Sequence, residues 1–197
     1  LADWADVVTF DFENVPAATA AFLAARVPVR PGTRALAIAQ DRLPEKSFLA
    51  ECGIPTAPFL AVDDRAGLEA ALGAIGYPAV LKTRRMGYDG KGQAKIARPE
   101  DADEAFAAMK GAPAILEGWV PFSREISVLT VRGLDGSCAS FDIPENEHRD
   151  HILKYSRVPA RLDAGTAAAA RAIGETVAAE LDYVGVLAVE LFVVEED

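Results

Sequence analysis

A cationic, glycine-rich segment is the part of this sequence with the clearest capacity for chemistry. It runs from Lys82 to Gln93 and reads Lys-Thr-Arg-Arg-Met-Gly-Tyr-Asp-Gly-Lys-Gly-Gln. Glycines can adopt positive φ angles and leave backbone N–H groups uncovered, while the lysines and arginines supply positive charge at the same place. Because the chain as a whole has a formal net charge of -10, this local positive charge predicts a bound anion, and a polyphosphate meets both demands.

The glycine pattern of this segment leaves two interpretations open. Gly87, Gly90 and Gly92 lie between two predicted strands, an arrangement that is also typical of a plain hairpin loop. The segment lacks the strand–glycine–helix setting of a dinucleotide-binding fold and the Gly-Lys-Ser/Thr ending of a P-loop. Those two nucleotide motifs are excluded, and a flap between antiparallel strands stays possible.

Two charged residues in apolar predicted strands are further candidates for ligand binding. Lys82 follows Ala-Val-Leu, where an ammonium group needs a partner or a ligand; the alternative is a strand-end lysine whose charge reaches solvent. Glu190 lies in Ala-Val-Glu-Leu-Phe-Val, where a buried carboxylate needs a cation, such as magnesium held with a nucleotide. The alternative for Glu190 is a strand residue that faces outward.

Two other segments carry weaker signals. Gly118, after Glu117 at the end of a predicted strand, is expected to leave backbone groups free to hydrogen-bond a planar base, although the segment could equally be an ordinary strand end. His148 and His151 are the two histidines of the chain. A zinc site is one interpretation, but the spacing in a predicted loop without a nearby cysteine favours a polar loop beside a charged substrate.

Composition limits the function classes. The 197 residues are 51% hydrophobic and 25% charged, which is typical of one or two globular domains. A net charge of -10 opposes non-specific binding to nucleic acid and to anionic membranes. Two cysteines far apart provide neither a disulfide framework nor a cysteine zinc site, so a reducing cytoplasm is expected. No apolar run approaches the roughly 20 residues that span a bilayer, and no signal segment opens the chain.

Periodicity and turn residues predict an α+β chain, α/β overall, in which antiparallel strands dominate the second half. Strands are predicted at residues 7–10, 59–62, 79–83, 94–97, 114–117, 125–131, 137–142, 154–159 and 184–194, and helices at 16–26, 33–40, 44–51, 66–75, 100–109 and 164–181. Residues 145–150 are predicted as a polar loop. The strands at 7–10 and 184–194 are both expected to be buried, and the chain is expected to be the middle of a longer protein.

Several strings in a fixed order carry a resemblance to one family. They are Gln40-Asp41-Arg42-Leu43, Gly-Ile-Pro-Thr-Ala-Pro from Gly53, Lys82-Thr83-Arg84-Arg85 with Gly87-Tyr88-Asp89-Gly90-Lys91-Gly92-Gln93, Glu145-Asn146-x-His148-Arg149-Asp150, and Asp182-Tyr183-Val184-Gly185-Val186. The sequence resembles N5-carboxyaminoimidazole ribonucleotide synthase, the ATPase subunit of phosphoribosylaminoimidazole carboxylase, an ATP-grasp ligase of purine biosynthesis. The resemblance covers essentially the whole chain.

The resemblance implies an ATP-grasp fold without most of the N-terminal Rossmann-like domain and without the C-terminal part. Residues 1–32 would be the tail of the Rossmann-like domain and residues 33–57 a helical linker or the start of the ATP-grasp region. Residues 58–118 would be the small ATP-grasp domain with its glycine flap, and residues 119–197 the first part of the larger one. A homodimer is implied by the same resemblance.

The resemblance also implies roles for single residues. The ATP-binding residues would be Arg42, Lys82, Gly87, Tyr88, Asp89, Gly90, Lys91, Gly92, Gln93, Glu117, Gly118, Trp119, Val120, Glu125 and His148. Glu13, with Tyr88 and Asp89, would bind aminoimidazole ribonucleotide, and Glu190 would bind magnesium. Two positions depart from the family pattern, because Met86 and His151 stand where glycine is common.

The implied reaction is an ATP-dependent carboxylation. The γ-phosphoryl group of ATP would activate bicarbonate as carboxyphosphate, and the exocyclic amine of the ribonucleotide would capture the carboxyl carbon, with no protein nucleophile. Other ATP-grasp carboxylate–amine ligases, of the formate-dependent transformylase or biotin carboxylase type, are the alternative enzymes, and a non-catalytic nucleotide-binding module is the alternative from another class. The 197 residues alone are expected to be inactive.

Overall fold

The computed structural model describes residues 2–87 and 90–195. These residues form two compact units. Of the described residues, the first unit comprises 2–40, 122–147 and 153–195, and the second comprises 41–87, 90–121 and 148–152. The domain boundaries predicted from the sequence stay predictions.

Three helices open the described part of the chain, and strands predominate after them. The helices are α1 (Ala17–Ala24), α2 (Thr33–Ala39), α3 (Arg42–Glu51), α4 (Arg65–Ile75), α5 (Ala102–Ala108) and α6 (Ala164–Glu180), with a 3₁₀ helix at Pro99–Asp101. The strands are β1 (Phe59–Val62), β2 (Ala79–Thr83), β3 (Gln93–Ile96), β4 (Ala114–Gly118), β5 (Arg124–Arg132), β6 (Cys138–Ser140), β7 (Glu145–Arg149), β8 (Ile152–Arg157) and β9 (Gly185–Val193). The predicted α+β class is confirmed.

The second unit is an antiparallel sheet covered by helices α4 and α5. Its strand order is β1-β4-β2-β3, so β2 and β4 are the central strands. Leu81 and Leu116 are fully buried in these strands and pack with Leu68 and Leu72 of α4. The Asp64 carboxylate accepts a hydrogen bond of 2.7 Å from the Gly67 N–H and so caps the first turn of α4. The core therefore holds β2 and β4 rigidly side by side, which matters for the charged residues that they carry.

The first unit contains a second sheet with β5 at its centre. β5 pairs antiparallel with β6, β7 and β9, and the pairing with β9 runs without interruption from Arg124 opposite Val193 to Arg132 opposite Gly185. Helix α6 packs on β5 at a small residue, because a Cβ added to Gly174 would lie 2.5 Å from Thr130 Oγ1 and 2.8 Å from Val128 Cγ1. The close approach of helix and strand therefore requires glycine at position 174.

Three predictions about elements are wrong. Residues 7–10 do not form a buried strand: Val8 makes one isolated bridge with Val29, and the Val7 side chain is 53% exposed. Residues 145–150 are not simply a polar loop, since Asn146 pairs with Glu125 of β5 and its Nδ2 donates to Ser127 Oγ at 2.6 Å, which makes β7 a strand. Strand β9 is not buried on both faces, because its residues alternate between half-buried and exposed positions.

We expect Gly174→Ala to lower the free energy of unfolding by about 1–3 kcal/mol, because the added methyl group would overlap Thr130 and Val128. Gly73→Ala in α4 is the matched control: a Cβ there meets nothing within 4 Å, so the change is expected to raise stability by about 0.5–1 kcal/mol. Urea unfolding followed by circular dichroism measures both. Equal stability of wild type and Gly174→Ala would contradict the close packing.

Candidate nucleotide-binding site

A buried carboxylate with two lysines forms the centre of the charged site in the second unit. Lys82 Nζ donates a hydrogen bond of 2.9 Å to Glu117 Oε2, and Lys46 Nζ lies 3.4 Å from the same oxygen. The Glu117 side chain is 8% exposed, and the Lys46 and Lys82 side chains are 16% and 21% exposed. The cluster carries one negative and two positive charges, so it has an excess of positive charge in a place partly shielded from water.

Strand register and one helix bring these three side chains together. β2 and β4 are antiparallel neighbours with Val80 opposite Glu117, so Lys82, two residues further along β2, is a diagonal neighbour of Glu117 on the same face. Lys46 comes from the first half of α3. The predicted need of Lys82 for a partner is thus met by the Glu117 side chain, whereas the sequence argument had considered only the backbone of residues 117–120.

The charge state of Glu117 follows from these contacts. Burial acts to raise the pKa of Glu117, but the positive charges of Lys82 and Lys46, the hydrogen bond from Lys82 and the charge of Arg42 outweigh it. The pKa therefore lies below its ordinary value of 4.5. Glu117 is a carboxylate at neutral pH, and both lysine side chains lie beside it.

A second ion pair fixes the start of α3. Arg84 donates two hydrogen bonds to Asp41, from Nε to Oδ1 at 2.8 Å and from Nη2 to Oδ2 at 2.7 Å. Asp41 Oδ1 also accepts the Leu43 N–H at 3.0 Å as the N-cap of the helix, and the Arg42 N–H donates to the Arg84 carbonyl at 3.0 Å. The bidentate fork and the cap together set the position of Arg42 relative to the end of β2.

The same contacts determine the protonation of Asp41. Burial acts to raise its pKa, but the hydrogen bonds from Arg84 and the Leu43 amide and the charges of Arg84 and Arg85 outweigh burial. The pKa of Asp41 therefore lies below its ordinary value of 3.8. Arg42, held by this arrangement, reaches the glycine segment: its Nη2 would lie 3.7 Å from a Cβ at Gly87.

The glycine segment has two positions where a side chain would not fit. Gly92 has φ 71°, and an added Cβ would overlap Thr83 Oγ1, while the Thr83 N–H donates to the Gly92 carbonyl at 2.7 Å. Gly90 has φ 73°, and its added Cβ would lie 2.6 Å from His151 Cδ2. The His151 ring thus covers the Gly90 backbone, and its Nδ1 lies 3.1 Å from Gln93 Nε2.

Both departures from the family pattern occur at strained backbone positions. Met86 has φ 63° and His151 has φ 62°, in the left-handed region that glycine tolerates best. This explains in backbone terms why glycine suits these positions. Lys91 is an exposed residue of the same segment, while Tyr88 and Asp89 lie outside the described residues.

The end of β4 differs from its prediction. The Gly118 N–H donates to the Pro58 carbonyl at 2.8 Å, and the Trp119 N–H donates to the Pro78 carbonyl at 3.2 Å. The expectation that Gly118 leaves its backbone groups free is therefore wrong for its N–H group, because the Pro58 carbonyl already accepts a hydrogen bond from it. The Trp119 side chain is 44% exposed, and Lys95 Nζ lies 3.9 Å from its ring centroid. Val120 and His148 are half-buried.

The first unit holds the other candidate residues. Burial and the negative charge of Glu190 raise the pKa of Glu13. Gln40 fixes the segment around Glu13, since its Nε2 donates to the Glu13 carbonyl at 2.6 Å and also to the Val15 carbonyl. Burial and the charge of Glu13 raise the pKa of Tyr183. Glu13, Tyr183 and Glu190 therefore lie near one another.

Strands β5 and β9 carry Glu125 and Glu190. Glu125 is half-buried opposite Asn146. Glu190 is exposed, which agrees with the second of its two interpretations, a strand residue that faces outward. Its position on the outward face of the alternating strand β9 is the reason. Among residues 2–87 and 90–195, no group of three or more histidine, cysteine or acidic residues is arranged to hold a metal ion. A cation near Glu190 would need most of its ligands from elsewhere.

Two parts of the site were missed in the sequence. Lys46 follows Arg42 by four residues, so both lie on one face of α3, and this spacing could have identified Lys46 had the helix been predicted to start at Arg42 rather than at Pro44. The Asp41–Arg84 fork joins residues 43 positions apart, and no local pattern indicates such a pair. Only strand order and packing reveal it.

Family models match both parts of the chain. The ATP-grasp domain matches residues 47–197, and the ribonucleotide synthetase preATP-grasp domain matches residues 1–40. The chain belongs to the ATP-grasp family. The ATP-grasp match includes Lys82, Glu117 and the whole glycine segment, so the site described above lies mostly within it.

Individual ATP-grasp relatives confirm the resemblance seen in the sequence. The N5-carboxyaminoimidazole ribonucleotide synthase of Brucella melitensis is 52% identical over 198 residues, which cover 100% of this chain and 55% of that protein. The crystal structure of the synthetase from Thermus thermophilus is 45% identical, has a TM-score of 0.91 and covers 98% of this chain and 52% of its own. The chain spans about half the length of these relatives.

A third relative was solved with ligands. The N5-carboxyaminoimidazole synthase from Aspergillus clavatus, in complex with ADP and 5-aminoimidazole ribonucleotide, is 28% identical with a TM-score of 0.89. It covers 97% of this chain and 50% of that chain. Within residues 2–87 and 90–195, no helix is long and apolar enough to cross a membrane.

We expect Asp41→Asn to lower the free energy of unfolding at pH 7 by about 1–3 kcal/mol, because Arg84 loses an anionic partner while the cap is kept. The folded-state pKa is depressed, so the stabilisation is present above the ordinary pKa and is lost as pH falls through the folded pKa. The difference between wild type and variant should therefore shrink as pH falls below 3.8. Urea unfolding at several pH values measures it.

The control for this experiment is Asp64→Asn, which changes the cap of α4, where the described residues include no arginine hydrogen bond to the carboxylate. Asparagine caps nearly as well as aspartate, so little loss is expected at pH 7. A loss at Asp41 that is no larger than the loss at Asp64, or that does not depend on pH, would contradict the role of the fork.

We expect Gly92→Ala to lower the free energy of unfolding more than Gly136→Ala does. Both glycines have positive φ, 71° and 82°, so both variants carry the same type of backbone strain. Only at Gly92 does the new methyl group also overlap Thr83; at Gly136 the nearest atom is Arg132 Nη2 at 3.7 Å. Urea unfolding measures the loss in free energy of unfolding for each variant, and the difference between the two losses reports the overlap with Thr83. Equal losses would contradict that overlap.

Proposed function

We propose that the protein carboxylates 5-aminoimidazole ribonucleotide, consuming ATP and bicarbonate and giving N5-carboxyaminoimidazole ribonucleotide, ADP and phosphate in de novo purine biosynthesis. The observation that carries the proposal is a phosphate-type site on an ATP-grasp chain: Lys82 beside a glycine segment, with Arg42 positioned at Gly87. The choice of substrate is supported by the names of the Brucella and Thermus relatives and by the ligands of the Aspergillus protein.

The proposed ATP-binding residues divide into those that bind phosphate and those that bind the nucleoside. Arg42 and Lys82 would contact phosphate oxygens, and the segment from Gly87 to Gln93 would close over them. Residues 117–120 would contact the adenine, with the Gly118 and Trp119 amides already engaged by proline carbonyls. Glu125 would bind the ribose, and His148 would line the nucleotide side. The segment from Gly87 to Gln93 includes Tyr88 and Asp89.

The ribonucleotide would be bound by Glu13 together with Tyr88 and Asp89. Glu13 is exposed at its surface but partly desolvated by its neighbours, and its segment is fixed by Gln40. Burial and Glu190 raise its pKa, so Glu13 binds a proton more readily than an ordinary glutamate and could accept one from the exocyclic amine.

Magnesium is the expected cation, bound with ATP. The exposed Glu190 supplies one carboxylate, which fits an ion that commonly takes one or two protein carboxylates and completes its shell with phosphate oxygens and water. When bound, the ion would neutralise part of the phosphate charge. The nearby Glu13 adds to the negative charge that attracts it.

The residues act by position and charge. Bicarbonate oxygen would attack the γ-phosphorus of ATP, the bond to the β-phosphate oxygen would break, and ADP and carboxyphosphate would result. The ribonucleotide amine would then attack the carboxyl carbon and release phosphate. Since negative charge lies on the phosphoryl oxygens in the transition state, the fixed cations Lys82 and Arg42 would stabilise it. A closed glycine segment would exclude water, which hydrolyses carboxyphosphate.

The proposed function has two kinds of alternative. One is another ATP-grasp enzyme, which uses formate or carboxylates biotin, and the other is a nucleotide-binding module without catalysis. ADP release by the full-length protein, measured with bicarbonate or formate and with or without the ribonucleotide, separates them. We expect release only with bicarbonate and the ribonucleotide together. Release with formate, or release without the ribonucleotide, would contradict the proposed substrates. A cytoplasmic location stays a prediction from the cysteine content, and a homodimer stays a prediction from the resemblance.

We expect Lys82→Met to weaken binding of ATP with magnesium at least about tenfold, equivalent to about 1.4 kcal/mol, because a direct cationic contact to phosphate is lost. Lys110→Met is the matched control, since Lys110 is an exposed lysine of the same unit. Isothermal titration calorimetry measures the affinity of each. If Lys82→Met binds ATP with unchanged affinity, Lys82 does not contact phosphate, and the alternative of a non-catalytic module would be favoured.

A further inference from the structure

Lys46 is the one member of the buried cluster to which neither the sequence nor the proposed reaction gives a role. Its ammonium nitrogen lies 3.4 Å from Glu117 Oε2, while the Lys82 nitrogen lies 2.9 Å from that same oxygen. The other carboxylate oxygen, Oε1, is buried and has no hydrogen-bond partner within the part of the chain that the structure describes. Oε1 of Glu117 can therefore accept a hydrogen bond from a further donor. Lys46 is the more distant of the two lysines beside Oε2.

The cluster presents a competition for Lys82. The Lys82 ammonium group has three N–H donors, so it can contact a phosphate while one donor stays near Glu117. The two anions then compete for one positive charge, and the contact between Lys82 and Glu117 weakens. A buried carboxylate that loses its only cationic partner is strongly unfavourable, so a Glu117–Lys82 pair on its own would resist this exchange. With Lys46 present, Glu117 keeps a cation beside it throughout.

We infer that Lys46 is a positioning residue: by holding Glu117, it allows the Lys82 ammonium group to transfer from the carboxylate to a phosphate oxygen of ATP. The inference rests on the proposed function, because it requires that Lys82 binds phosphate. It assigns Lys46 no direct contact with the nucleotide.

The fold holds Lys46 in a suitable place for this task. Arg42 and Lys46 are one helical turn apart on α3, and the start of that helix is fixed by the Asp41–Arg84 fork. Phe59 lies directly opposite Glu117 in the β1–β4 pairing, and Lys46 Nζ lies 6.0 Å from the Phe59 ring centroid, within the range of a cation–π contact. Lys46 therefore approaches Glu117 from the helix, and Lys82 approaches it from the neighbouring strand.

A double-mutant cycle tests the inference. Affinity for ATP with magnesium is measured by calorimetry for the wild type, Lys46→Met, Glu117→Gln and the double variant. With Glu117 present, we expect Lys46→Met to weaken binding at least about fivefold, because Lys82 is then held by the carboxylate alone; in the Glu117→Gln background the same change should cost less than about twofold. Lys46→Arg should restore binding to within about twofold of wild type, since it keeps the charge.

The outcomes separate the inference from the function on which it rests. Wild type that binds no ATP would overturn both. Wild type that binds ATP, with Lys46→Met unchanged, would overturn the role of Lys46 alone. An equal loss in both backgrounds would also overturn it, because that result indicates a direct phosphate contact or a general folding defect. If Lys46→Met does not fold, Lys46→Gln takes its place in the cycle.

The full-length enzyme provides a second readout. The KM for ATP should rise in Lys46→Met, while the KM for bicarbonate should stay at the wild-type value, because only the nucleotide competes with Glu117 for Lys82. Lys110→Met is again the charge-matched control and should change neither constant. A rise in both constants would contradict the inference.

Discussion

A single buried carboxylate organises the charged site of the second unit. The Glu117 side chain is 8% exposed, yet it stays ionised because two lysines face it and their charges outweigh the cost of burial. The strands that carry Glu117 and Lys82 are central in their sheet and are held by a core of leucines. The site therefore has rigid supports and one exchangeable contact, the hydrogen bond between Lys82 and Glu117.

That exchangeable contact explains how the Lys82 ammonium group is stabilised by the protein itself. A lysine in a largely apolar strand would be costly without a partner, and Glu117 is that partner. A triphosphate offers more negative charge than one carboxylate, so it can compete for the same ammonium group. The Arg42 cation favours the anion further, and Lys46 keeps a positive charge beside Glu117. The stability of the charged cluster and its affinity for phosphate thus depend on the same residues.

The sequence predicts much of this fold, and the errors have physical causes. Three predicted elements are confirmed to within one residue: the strands at 59–62 and 79–83 and the helix at 66–75. Periodicity defines all three locally, and an aspartate cap marks the start of the helix. β7 was missed because its residues are polar; its pairing with β5 is long-range. The segment 7–10 is apolar but has only one bridge, so hydrophobicity alone did not make a strand.

In the candidate site, too, local features could be predicted from the sequence and long-range contacts could not. Lys82 and the glycine segment could be identified from residue types alone, since a lysine in an apolar strand and closely spaced glycines each require an explanation. Lys46 and the Asp41–Arg84 fork could not, because their partners are distant in sequence and are brought close only by the order of the strands. The positive φ angles of Met86 and His151 likewise became visible only in the structure.

The accessibility of Lys82 with and without nucleotide tests the central claim most directly. The protein is treated briefly with an amine-acylating reagent, and modification of each lysine is followed by mass spectrometry. If ATP with magnesium takes over the Lys82 ammonium group from Glu117, nucleotide should slow acylation of Lys82 and leave Lys110 unchanged. Acylation of Lys82 at the same rate in the absence and presence of saturating nucleotide would contradict the account.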